Sequence, residues 1–234
     1  MTSTSGRLDG RGFEEFRPFF INTNVISQAR GSAYAEFSNT KIMAGVYGPR
    51  QSERKFGFSE RGRLHCDVRL AAFAAQGLTK QQQVTHERNL SEALQNALSA
   101  SVQLQKIPKS SVDVFVMVLE SGGADLAVAI TAASVALADT GIELFDIVPA
   151  CQVIKRGGVI YLDPTAAEEE GKEASLLLAY MPSLSEVTQL DIQGCWGDSE
   201  LKETIELCMG ACVQLKTSMQ DALILSVENT KSEV

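Results

Sequence analysis

Apolar and polar positions change period several times along this chain of 234 residues, and the changes divide it into elements. Residues 1–16 are polar and glycine-bearing and read as an extended arm. Residues 17–21 open the first strand. Residues 33–37 and 41–47, joined by Ser38, Asn39 and Thr40, carry a hairpin pattern. Residues 48–63 mix Pro, Gly, Ser and charge and read as a loop. Over residues 64–73, His65, Asp67 and Arg69 alternate with Cys66, Val68 and Leu70, the period of a half-buried strand. Leu90, Leu94, Ala97, Ser101 and Leu104 then recur at helical spacing, and Pro108 bars continuation of that stripe.

Residues 111–119 are rich in Val and Phe and predict a strand, followed by a turn at Ser121, Gly122 and Gly123. Residues 124–138 are apolar almost all round, so this helix is expected to be buried on more than one side. Residues 148–154 and 159–162 flank Lys155-Arg156-Gly157-Gly158, a second hairpin pattern. Residues 174–181 and 186–192 are further strands. Asp198 is a good N-cap. After it, Leu201, Ile205, Cys208, Cys212, Leu215 and Met219 mark a long amphipathic helix that should pack on a sheet, with residues 228–234 fraying. A β-β-β-α-β-α opening followed by more strands and a helix predicts the α+β class, and residues 1–234 are expected to form one domain.

Charge narrows the chemistry. The net charge is −8 and the pI about 4.9. A protein that grips phosphates alone is usually basic. Any contact with RNA must therefore come from a local patch or from a larger assembly. The five cysteines include no C-x-x-C pair, and Cys208 and Cys212, four apart, read as small core residues of a reduced compartment. Residues 1–6 are polar with no apolar run after them, so no export leader is expected, and no apolar run reaches membrane-spanning length.

Few residues offer catalysis. There are two histidines, His65 and His86, and no G-x-S-x-G elbow, which argues against a hydrolase triad. Gly122-Gly123 before a helix has the form of a phosphate cradle, because helix N-termini offer free N–H groups and a positive dipole end. Asp125 in the first turn competes for that dipole and repels phosphate. Glu168, Glu169, Glu170 and Glu173 could hold a cation or move protons, but such runs more often form a solvated face. Residues 50–69 are locally basic. Arg50, Arg54, Lys55, Arg61, Arg63 and Arg69 stand against Glu53, Glu60 and Asp67, with Phe56 and Phe58 between them. Cations interleaved with aromatics suit single-stranded RNA, through phosphate pairing and base stacking; an ordinary flexible loop fits the pattern equally.

Separated motifs in a fixed order then carry a resemblance. Arg7-Leu8-Asp9-Gly10-Arg11 resembles the R-x-D-G-R opening of the RNase PH family. The segment from Gly31-Ser32 to Asn39-Thr40-Lys41 resembles that family's hairpin, and Ile130-Thr131-Ala132-Ala133 through Asp139 its buried helix. Gly48-Pro49-Arg50-Gln51, Arg61-Gly62-Arg63-Leu64 and Leu162-Asp163-Pro164-Thr165 resemble the mRNA-transport-regulator type of ring subunit in the eukaryotic RNA exosome. The resemblance implies the RNase PH fold, with two related β-α-β-α halves. It implies a hexameric ring of RNase PH-type subunits capped by RNA-binding subunits, no cofactor, no membrane, and a place in the nucleus, nucleolus and cytoplasm.

Active members of the family hold phosphate with an Arg just after the paired glycines, and here Asp125 or Leu126 stands there. They also carry two Asp six apart, positions that fall on Glu169 and Ser175, and an Arg that falls at His86. A site that works as a unit loses most of its activity with one member. The expectation is a non-catalytic ring subunit in which Arg50, Arg61 and Arg63 guide RNA. The alternatives are a phosphate-dependent 3′-exoribonuclease using Glu169, and a protein-interaction module with no RNA role.

Overall fold

The computed structural model describes residues 7, 9–51, 61–74, 77 and 79–232, with side chains to 228. Two sheets form. The first has the order β1-β2-β3-β5-β4, from β1 (Phe19–Thr23), β2 (Gly31–Phe37), β3 (Thr40–Gln51), β4 (Arg63–Leu70) and β5 (Ser110–Glu120). All neighbours are antiparallel except β4 and β5, which α1 (Lys80–Ser99) connects in parallel. The second has the order β7-β6-β8-β9, from β6 (Ala150–Arg156), β7 (Val159–Leu162), β8 (Ala174–Met181) and β9 (Glu186–Gly194), all antiparallel. The α+β layering expected from the pattern is present. Four strands precede α1, matching the four segments read at 17–21, 33–37, 41–47 and 64–73, one more than the β-β-β-α-β-α opening counts.

Helix α2 (Asp125–Asp139) lies between the sheets and touches β2, β3 and β5 on one side and β6 and β8 on the other. That position explains its apolar surface: residues 127–137 are all buried. One core joins the inner face of the first sheet to α1 and α2, with Ile42, Val46, Val68, Leu94, Val114 and Ile130. After the short α3 (Ala166–Glu169) comes α4 (Asp198–Ser232), and a second core joins Val153, Leu162, Leu176 and Leu178 to it through Cys208 and Cys212. The Cys212 Sγ lies 3.7 Å from the Cys151 Sγ. Hydrogen bonds with Cys208 and then Cys212 push the Cys151 thiol well above its ordinary pKa, and burial adds to the rise.

Three boundaries differ from the expectation. α1 stops at Ser99; Ser101 N and Oγ both bond Leu98 O, which closes the helix, and Leu104 falls in a 3₁₀ turn. β3 runs to Gln51, since a bulge between Tyr47 and Arg50 absorbs Gly48 and Pro49 before pairing resumes. α4 stays helical to Ser232, past Glu228, as neither Gly nor Pro follows Gly210. No helix among the described residues is long and apolar enough to cross a membrane.

Candidate functional site

Two depressions carry the residues singled out above. The first is a groove of about 810 Å³ between the ends of β3 and β4 and the last turns of α1. Register builds it. Arg50 on β3 and Arg63 on β4 both stand opposite Ser111 of the strand between them, so all three project from one face. Arg50, Arg63, His65, Gln95 and Asp113 line the groove, and Arg50 is ion-paired with Asp113. Arg61 is exposed two residues before Arg63 and is not among the lining residues. Glu53, Arg54, Lys55, Phe56, Phe58 and Glu60 lie outside the described residues.

The second is a pocket of about 380 Å³ at the head of α2, lined by His86, Ser121, Asp125, Leu126, Gln152 and Glu169 among others. Of the paired glycines, Gly123 lines it. A Cβ on Gly122 would come within 2.7 Å of the Asn39 backbone, and one on Gly123 within 2.6 Å of Pro164 O and Ala166 N. Close passage of three chain segments therefore accounts for both glycines. Behind them Arg17 is almost wholly buried. It donates to both Asp163 carboxylate oxygens, at 2.9 and 2.7 Å, to Gly122 O at 3.2 Å, to Gly123 O at 3.0 Å and to Thr40 Oγ1 at 3.0 Å.

Inside the pocket, carboxylates meet the helix end. Glu169 Oε1 accepts from Ala124 N at 3.0 Å and from Gln152 Nε2 at 2.9 Å. An orphan N–H at a helix N-terminus is thus satisfied from within the chain, at a place where an anion binds well. Asp125 accepts from Ser121 Oγ, while its Oδ1 is buried without a hydrogen-bond partner among the described residues. Burial pushes the Asp125 carboxyl above its ordinary pKa; the Ser121 hydroxyl opposes this, and the negative charge of Glu169 adds to it.

Ser175 is buried within β8 and is not among the pocket's lining residues. The acidic run is not simply a solvated face, as Glu168 shows. Arg7, with its side chain fully buried, donates to Glu168 Oε1 at 2.9 Å and Oε2 at 2.7 Å, and lies over the Tyr161 ring. Arg7 is thereby fastened to the short helix that follows β7, because it finds a bidentate carboxylate there. Arg17, Asp163 and Gln152 escaped the reading of the chain; Asp163 was marked only by its motif, and no spacing linked it to Arg17, 146 residues away.

Comparison with known proteins adds the following. The model of the 3′ exoribonuclease family, domain 1 (RNase_PH), matches residues 15–143. The exosome complex component RRP41-like of Arabidopsis thaliana is 42% identical over 217 residues, 93% of this chain and 84% of that protein. The human exosome complex component MTR3 is 38% identical over 224 residues, 89% of this chain and 82% of that protein. The crystal structure of rice (Oryza sativa) Rrp46 superposes with a TM-score of 0.81 at 25% identity, covering 93% of this chain and all of that one.

Proposed function

This chain belongs to the RNase PH family, and we propose that it serves there as a non-catalytic structural subunit of an RNA exosome core ring. In this reading residues 1–234 act as one RNase PH-type domain. They sit beside other RNase PH-type subunits under RNA-binding caps, in nucleus, nucleolus and cytoplasm, supporting 3′-to-5′ processing and turnover of RNA. The names of the relatives support the assembly, since RRP41-like and MTR3 are both called exosome complex components.

One observation carries the non-catalytic part: Glu169 holds the Ala124 amide at the head of α2, with Asp125 beside it. Phosphorolysis needs inorganic phosphate, a polyanion, at such a place. Two carboxylates repel it, and the N–H that would receive it is already engaged. Losing one member of a catalytic set removes most of its rate. Without phosphate activation the contribution to RNA decay is passive: the subunit closes the ring and lines the path. Arg50 and Arg63 on the groove face, with Arg61 exposed beside them, are the RNA guides in this reading.

The second reading, a phosphate-dependent 3′-exoribonuclease, is favoured by Glu169 lining the pocket beside an Asp125 whose raised pKa suits a proton donor. RNA degradation by the purified chain, alone and with its ring partners, with and without phosphate, separates the two. No turnover in either state, with stable incorporation into the ring, is expected. Phosphate-dependent release of nucleoside diphosphates that disappears in Glu169→Gln would make the chain an enzyme.

A further inference from the structure

Each sheet edge presents a row of backbone N–H and C=O groups that need partners. Three of the four edges are dealt with inside the chain. On β4, Val68 N donates to Ser91 Oγ at 2.8 Å and Leu70 N to Glu87 Oε1 at 3.0 Å, both from α1. β1 is five residues long and has α4 packed beside it. β7 is four residues long, and its Leu162 N donates to Phe13 O of the arm at 2.9 Å.

β9 is different. It is nine residues long and last in its sheet; α1 comes near it, as α4 does to β1, but among the described residues nothing hydrogen-bonds to its outer backbone edge except Trp196 Nε1, which donates to Gln193 O at 3.3 Å. It contains neither Pro nor Lys, two residues that commonly blunt an edge. Instead Val187, Leu190 and Ile192 are 46%, 43% and 40% exposed. Leu190 and Ile192 stand opposite Leu178 and Leu176, whose side chains enter the second core, so the apolar row continues that core outward to the edge. Gln189 Oε1, on the same strand, is buried without a partner among the described residues.

We propose that β9 is a docking edge, to which a neighbouring RNase PH-type chain adds an extended segment of its own. This rests on the reading of the chain as a ring subunit. Only extended backbone supplies alternating donors and acceptors along such an edge, and alternate side chains of the added strand would cover the three apolar residues. Charge selects the partner. Glu186 and Asp191 on β9, and Asp198 just beyond it, pair with no cation among the described residues. The incoming segment therefore carries Lys or Arg facing them. A second copy of this chain, at net charge −8, would bring the same carboxylates to an acidic edge.

The test is amide hydrogen exchange over residues 186–194 in the full chain, alone and co-purified with the RNase PH-type ring subunits of the same organism. Exchange should be fast in the free chain and slowed at least about tenfold in the assembly. The double variant Leu190→Lys with Ile192→Lys should leave the free chain's unfolding midpoint in place and weaken assembly about a hundredfold. A ring in which β9 exchanges as fast as in the free chain overturns the proposal and leaves the ring reading intact. Failure of the unaltered chain to join those subunits overturns both. A free chain that is already dimeric through a protected β9 overturns the assignment of the partner.

Discussion

Arg50 reaches Asp113 from a side chain that is 59% exposed, whereas Arg17 reaches Asp163 from one that is 2% exposed. The first pair belongs to the groove and the second stands behind the pocket. An exposed ion pair contributes about 0–1 kcal/mol, because water solvates the separated charges nearly as well. A buried pair adds little against an apolar replacement, yet breaking it strands a charge and costs about 3–5 kcal/mol. The Arg50–Asp113 pair of the groove therefore adds little to the stability of the fold. The framework behind the pocket is a locked structure, in which Arg17 and Asp163 are committed to one another.

The largest effect should come from Arg17→Met, which strands Asp163 and releases the Gly122 and Gly123 carbonyls. Urea unfolding should show a loss of about 3–5 kcal/mol, against less than about 1 kcal/mol for Arg50→Met. Equal losses would break the comparison. Next in size is the combined change of Arg50, Arg61 and Arg63 to Glu, measured as RNA affinity of the assembled ring at several salt concentrations. Three lost phosphate contacts should lower the slope of log K against log salt by about 2, with the ring intact. An unchanged slope would remove these arginines from the RNA path.

Much of the fold was legible because it is written in periods. The strand alternation at His65–Arg69 and the four-three stripe from Leu201 to Met219 each reappear as elements with the expected inner face. The groove was half legible: Arg50 and Arg63 were marked by local charge, but their meeting across Ser111 depends on a β3–β5–β4 order that no local pattern contains. The pocket's framework was least legible. Arg7 meets Glu168 across 161 residues and Arg17 meets Asp163 across 146, so composition alone read an arm and a solvated acidic run. Local pattern reports which face is apolar; it says nothing about which distant charge will be brought opposite.

The smallest predicted effect sharpens the contrast at Asp125. Its buried Oδ1 lacks a partner among the described residues, which costs about 1–3 kcal/mol while the group is ionised. A negative charge in the first turn of α2 returns about 0.3–1 kcal/mol. Asp125→Asn should therefore stabilise the chain by about 1 kcal/mol at neutral pH. The sign of the pH dependence follows from the direction of the shift. A carboxyl raised in the folded state binds its proton before the unfolded chain does, so stability falls as pH rises through that interval. The advantage of Asn should be full above the raised pKa and shrink towards zero as pH falls to the ordinary value of about 3.8. Glu168 behaves oppositely. Burial alone would raise it, but Arg7 and the Thr165 amide hold it below the usual range, so its contribution is lost in acid. That loss is common to both proteins and cancels in the difference. Paired urea unfolding of the two proteins from neutral pH down to about 4 isolates Asp125; a pH-independent difference would mean that its charge is solvated after all.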